Sequence, residues 1–172
     1  MKTLIITATL ILTSLCSWAQ KLGYEDVQIG SNIDSIYYLN KYQIVKGDKE
    51  TEFFIKGADL KICAMDVAYL KGEIDSNRTI INLSVFTKEK LYANYRQYDD
   101  DFFRTLFSIK NTVGAASWDN LNKPDGTRTF GWRFRDTNTV LFMSVKEISS
   151  FATDFKVNYS FFWEKYKENK MW

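Results

Sequence analysis

The chain has 172 residues, of which 45% are apolar, 26% charged and 16% aromatic, and this excludes a disordered, collagen-like or multi-span membrane protein. Lys and Arg number 23 against 21 Asp and Glu, a net +2, too small a bias to make nucleic acid or an anionic membrane the default partner. Histidine is absent, so no Ser-His-Asp or Cys-His site can be built within the chain, and His-based zinc sites go with them.

Residues 1–19 read as a signal peptide. Lys2 gives a short positive start and Leu4 to Leu15 an apolar stretch too short for a bilayer span. Ser17-Trp18-Ala19 fits small-x-small cleavage, leaving Gln20 first. Leu15 before Cys16 argues against acylation as a lipoprotein, which wants a small residue there. The expectation is a periplasmic or secreted product with one soluble domain over 20–172. About 150 residues can bury a core without metals or disulfides. Cys63 would then be the lone cysteine, a small buried hydrophobe in an apolar run, with no histidine to activate it.

The first helix signal is Gly30 to Leu39, capped by Ser31 or Asn32, with Ile33, Ile36 and Tyr37 on one face. Alternating runs then predict strands over 51–56, 60–70 and 79–86, with turns at Gly57-Ala58-Asp59 and Asp75-Ser76-Asn77. Residues 87–98 carry no clear period. A second helix is expected to open at Asp99-Asp100-Asp101, carry a stripe of Phe102, Phe103, Leu106, Phe107, Ile109 and Val113, and end at Gly114. Three more strands follow over 129–135, 139–147 and 155–161, each with a polar opposite face.

The fold class read from this order is α+β: an antiparallel sheet with two main helices, arranged as two helix-plus-three-strand halves. In element order the chain resembles β-lactamase-inhibitor-protein-like folds and small secreted α+β proteins of Bacteroidota. Its apolar start and Ala19-Gln20 junction resemble signal peptides of that group. The resemblance carries no motif and transfers no functional residue, and fold does not imply function.

No glycine-rich phosphate loop occurs, so the usual nucleotide and flavin motifs are absent and no cofactor is expected. Asp99 to Asp101 lack EF-hand spacing and read as a helix start rather than a metal site. Glu25, Asp26, Asp66, Glu73 and Asp75 are available for carboxylate acid/base chemistry, with Asp66 singled out inside an apolar strand. Arg128 to Arg135 interleaves basic and aromatic residues; alternation favours a half-buried strand with a wet basic face over a nucleic-acid site.

Arg133 and Arg135, joined by Lys146 and Lys156, make a candidate partner surface. Tyr92, Tyr95, Tyr98 and Trp118 lie in poorly patterned stretches and are the candidate exposed aromatics, since Tyr, Trp and Arg dominate interface hot spots. Sequons at Asn77, Asn82 and Asn158 matter only in a eukaryotic secretory route, and Asp34-Ser35-Ile36 resembles a short O-glycosylation motif. The leading expectation is a non-enzymatic binding module for an envelope protein partner: an inhibitor, immunity-like or accessory factor. A carboxylate-based glycan hydrolase and a hydrophobic-ligand carrier are the alternatives.

Overall fold

In a computed structural model, the structure describes residues 21–167 apart from 38, 40, 58, 64, 121–126 and 152–153. The expected signal peptide over 1–19 therefore lies outside the described residues. In chain order the elements are β1 (Gly23–Tyr24), β2 (Val27–Gln28), α1 (Ile33–Tyr37), β3 (Gln43–Lys46), β4 (Glu52–Lys56), β5 (Lys61–Ile62), β6 (Met65–Ile74), β7 (Ile80–Thr87) and β8 (Lys90–Tyr92). Then come α2 (Tyr95–Val113), β9 (Trp118–Asn120), β10 (Arg128–Phe134), β11 (Thr139–Phe151) and β12 (Asp154–Lys165).

The α+β assignment with two main helices is overturned. Among the described residues the fold is mostly antiparallel β, with one long helix and one helix of five residues. Its main sheet runs β3-β4-β6-β7-β12-β11-β10-β9, with β5 and β8 attached at β6 and β12. Two helix-plus-three-strand halves do not describe it either. Strands β3 to β7 follow α1 and β9 to β12 follow α2, and β12 pairs directly with β7. The seam is tied by Thr87, whose hydroxyl donates to the Tyr159 carbonyl at 3.1 Å and accepts from the Tyr159 N–H at 3.0 Å.

The short α1 has a local cause. Asn32 caps it, its side chain accepting from the Asp34 N–H at 2.8 Å. Only Ile33 and Ile36 find the core, while Tyr37 is 42% exposed, so one turn is all the packing supports. The second helix starts four residues before the aspartate triplet. Asn94 is extended and accepts from the Gln97 N–H at 3.0 Å, while the Gln97 side chain accepts from the Ala93 N–H at 3.2 Å. This resembles a capping box and outranks the electrostatic signal of the aspartates. Gly114 ends the helix as expected, at φ 94°, a left-handed value that glycine adopts without strain.

The buried stripe of α2 is Tyr98, Phe102, Thr105 and Ile109. That stripe turns Phe103 and Phe107 outward, at 60% and 63% exposed, against the expected apolar face. The expected strand over 60–70 is broken at Cys63, whose φ of 49° turns the chain between β5 and β6.

Alternation places Phe53, Ile55, Leu70, Leu83, Val85, Phe130, Trp132, Leu141, Met143, Phe161 and Trp163 on one face of the sheet. They share one hydrophobic cluster with Tyr24, Val27, Ile33, Ile36, Phe102 and Ile109. The β1–β2 hairpin and both helices thus cover the same face. No helix among the described residues is long and apolar enough to cross a membrane.

Candidate functional site: the open face of the sheet

The opposite face is defined by the same registers. Its middle row crosses eight strands: Trp118, Gly131, Phe142, Phe162, Ser84, Lys71, Phe54 and Val45. On one side run Thr129, Ser144, Ser160, Phe86 and Tyr69. On the other run Arg133, Val140, Glu164, Asn82, Glu73 and Glu52. At the usual strand spacing the middle row is about 34 Å long. Its aromatic rings are half-buried by their neighbours, and Trp118 and Val45 at its ends are 37% and 42% exposed.

The aromatics form two patches. Tyr69 stacks on Phe86 with centroids 4.8 Å apart and meets Phe54 at 6.2 Å. Trp118 lies nearly parallel to Phe142 at 6.1 Å. Gly131 makes that second patch possible. A Cβ there would come within 2.6 Å of the Trp118 ring and 2.9 Å of Phe142. Gly131→Ala is therefore expected to push the indole out and cost about 1–2 kcal/mol, read as a lower urea midpoint. An unchanged midpoint would mean that Trp118 does not rest on Gly131.

Charge flanks the strip. Glu52 and Glu73 sit directly opposite each other in the outer row, with Arg133 at its far end. Lys71 donates to Glu52 at 3.0 Å and its ammonium stands 5.5 Å from the Phe54 centroid. The Lys71 hydrogen bond is the largest influence on the Glu52 carboxyl and holds it below its usual range. Asn82 donates to Glu73 at 2.6 Å.

The structure separates the expected basic cluster. Arg133 belongs to the open face, with its guanidinium 3.5 Å from the Tyr166 centroid. Arg135 is not on that strand, because β10 ends at Phe134; it lies exposed in the following turn. Lys146 is on β11 six residues beyond the Arg133 partner Val140, about 20 Å away along the strand. Lys156 lies near Lys146, on β12 opposite Ser149. One end of the sheet holds the arginines and the other the lysines. Arg128 is on the covered side, its guanidinium 5.7 Å from the Phe102 centroid.

Of the four expected exposed aromatics, Tyr95 at 47% and Trp118 at 37% are exposed. Tyr92 and Tyr98 are buried at 4% and 1%, because the helix begins early and draws this segment into the core. Tyr92 donates to the Asp101 carboxylate, and Lys90 donates to the same oxygen at 2.7 Å. Burial opposes the Asp101 charge, yet these two donors hold its carboxyl below the ordinary range. Burial first, and the Asp101 carboxylate second, push the Tyr92 hydroxyl well above the ordinary phenol range. The aspartate expected to open the helix instead anchors it to β8.

The carboxylates considered for acid/base chemistry are dispersed. Asp66 is exposed and meets Lys61 at 3.9 Å. Glu25 and Asp26 share Lys41, at 2.6 and 3.4 Å. Asp75 shapes the β6–β7 turn, accepting from the Asn77 and Thr79 N–H groups. Among the described residues no three Asp, Glu or Cys side chains are grouped to hold a metal ion. Ser35 is exposed, beside the Arg78–Asp34 ion pair.

Sequence reasoning missed Phe54, Phe86, Phe142 and Phe162. For Phe54, Phe142 and Phe162 the signal was present as runs of three apolar residues, Phe53-Phe54-Ile55, Leu141-Phe142-Met143 and Phe161-Phe162-Trp163, whereas Phe86, followed by Thr87, had none. In a strand of period two, the middle member of such a run must face away from the core. No protein-family model, curated protein or solved structure matches the chain.

Proposed function

We propose that the chain is an exported, non-enzymatic binding module that captures a protein partner of the cell envelope on the open face of its sheet. The observation that carries this reading is the aromatic strip, left on the face opposite both helices. Scattered surface apolar residues need no explanation, but two aromatic patches aligned on one face of a sheet do. The strip and its flanking rows cover roughly 600 Å² in plan, near the ~800 Å² per partner of a standard interface. Trp and Tyr with a flanking Arg are the residue types that concentrate binding energy. Glu52 is buried and already paired with Lys71, so Glu73 is the carboxylate beside the strip that favours a partner whose apolar contact is bordered by Lys or Arg.

The test is affinity capture from envelope extract with the purified protein as bait, repeated with variants. Trp118→Ala with Phe142→Ala is expected to lower partner retention at least tenfold, since each anchor is worth about 1–2 kcal/mol. Reversing Arg133 and Arg135 together is expected to weaken capture less, because only Arg133 borders the strip. Equal retention by the double aromatic variant, with its fold intact, would reject this face as the binding surface.

A further inference from the structure

Besides the stripe that faces the core, α2 carries a second one that faces outward. Asp100, Phe103, Phe107 and Lys110 are all exposed, the two rings at 60% and 63%. They stand three, four and three residues apart, which keeps them within about 80° of the helix surface. With Arg104 and Leu106 they line a shallow open groove, and among the described residues no other element lines it. Tyr98, Phe102, Thr105 and Ile109 already anchor the helix, so packing within the protomer does not account for two exposed rings one turn apart.

Alternating steps of three and four are the spacing of a two-helix contact. This pattern is also palindromic about the level of Thr105: acid, ring, ring, base. A second copy laid antiparallel sets Phe103 of one copy against Phe107 of the other, and Asp100 of one against Lys110 of the other. A parallel copy would set Asp100 on Asp100 and Lys110 on Lys110. Charge complementarity thus selects both the occupant and its direction. Among the described residues neither Asp100 nor Lys110 has a salt-bridge partner within the protomer. Leu106 borders the stripe on one side and meets its own copy there. Arg104 borders it on the other, exposed, where salt screens the repulsion between the two guanidinium groups.

We propose that the chain forms a two-fold dimer through this stripe, with the α2 helices of the two copies antiparallel. The contact runs about 15 Å along each helix. It buries less than the ~1,200 Å² of a standard interface, so the dimer is reversible and forms at micromolar concentrations. Because α2 lies on the covered side of the sheet, both open faces stay free, and the dimer does not rest on what they bind.

The test is sedimentation velocity on the purified protein from low micromolar to submillimolar concentration, where a shift from monomer to dimer is expected. Phe103→Ala with Phe107→Ala is expected to stay monomeric throughout and to keep the wild-type circular dichroism, since both rings are exposed. Lys110→Asp alone is expected to weaken association about tenfold, by bringing two carboxylates together at each end of the contact. Adding Asp100→Lys to Lys110→Asp restores both opposite-charge pairs and should restore wild-type affinity. In the wild type, a carbodiimide that joins carboxyl to amine without a spacer should link Asp100 to Lys110. Those side chains stand about 15 Å apart along one helix, so the link reports a contact between copies. A folded wild type that stays monomeric over the whole range would overturn the dimer. Undiminished association in the double phenylalanine variant would overturn the stripe as its interface. A charge-swapped variant no tighter than Lys110→Asp, or a dimer without the Asp100–Lys110 link, would overturn the antiparallel arrangement.

Discussion

Replacing Trp132 by alanine is expected to destabilise the fold by about 3–5 kcal/mol, the range for removing a large buried aromatic. Trp132 is 1% exposed and lies in register with Leu141 on the covered face of the sheet. Its indole N–H donates at 3.0 Å to the carbonyl of Gly114, the residue that ends the long helix. The substitution therefore opens a cavity and also strips a helix-end carbonyl of its partner. A domain of this size has about 5–15 kcal/mol in total, so the loss is a large share of it. The measurement is a urea titration, in which the midpoint falls and the slope stays constant. Trp132→Phe keeps most of the ring area and should cost about 1–2 kcal/mol, mostly through the lost hydrogen bond. A Trp132→Ala loss under about 1 kcal/mol would contradict the packing of the helix end on β10.

Stability is expected to be nearly flat from about pH 5 to pH 9 and to fall on both sides. The flat region follows from composition: without histidine, only an α-amino group and thiols have ordinary pKa values there. On the alkaline side four tyrosines are decisive. Burial is the first cause of the rise in Tyr24, Tyr42, Tyr92 and Tyr159 alike, and Tyr42 is pushed up to about 12. Each has a folded pKa above the unfolded value of about 10. Their contribution is complete below pH ~10 and is lost as pH climbs through the folded values. On the acid side the signs reverse. Glu25 and Asp101 are buried against their charge, but donors from Lys41 and Tyr42, and from Lys90 and Tyr92, hold both below the usual range. Their contribution is present above pH ~4 and is lost as pH falls below it. Urea midpoints across pH 3 to 11 test this. Tyr159→Phe should shallow the alkaline limb and leave the acid limb in place. A midpoint that changes steeply between pH 6 and 8 would contradict it.

Strand runs, turn chemistry at Asp75 and the cap at Gly114 were legible in the sequence because they rest on contacts a few residues apart. The register of distant strands was not. The split between Arg133 and Lys146, and the burial of Tyr92 and Tyr98, depend on pairings that local pattern leaves open. The helix start was misplaced because two local signals competed, and the hydrogen-bonded cap at Asn94 prevailed over the charges at Asp99 to Asp101. The aromatic strip was hidden because a polar outer face was assumed for the last three strands, although Leu141-Phe142-Met143 and Phe161-Phe162-Trp163 contradicted it.

The seam between β7 and β12 also governs when the molecule can fold. Every other described strand is made before β12, yet β12 sits at the centre of the sheet. Until it arrives, β7 and β11 each present a long unpaired edge, and the Thr87–Tyr159 contact must close a loop spanning 72 residues. Pairings so remote in sequence slow folding and leave sticky intermediates. Local hairpins can form on a growing chain, but the finished sheet cannot assemble before synthesis passes Lys165. Until then the unpaired edges of β7 and β11 stay open templates, and mispairing there competes with the native seam.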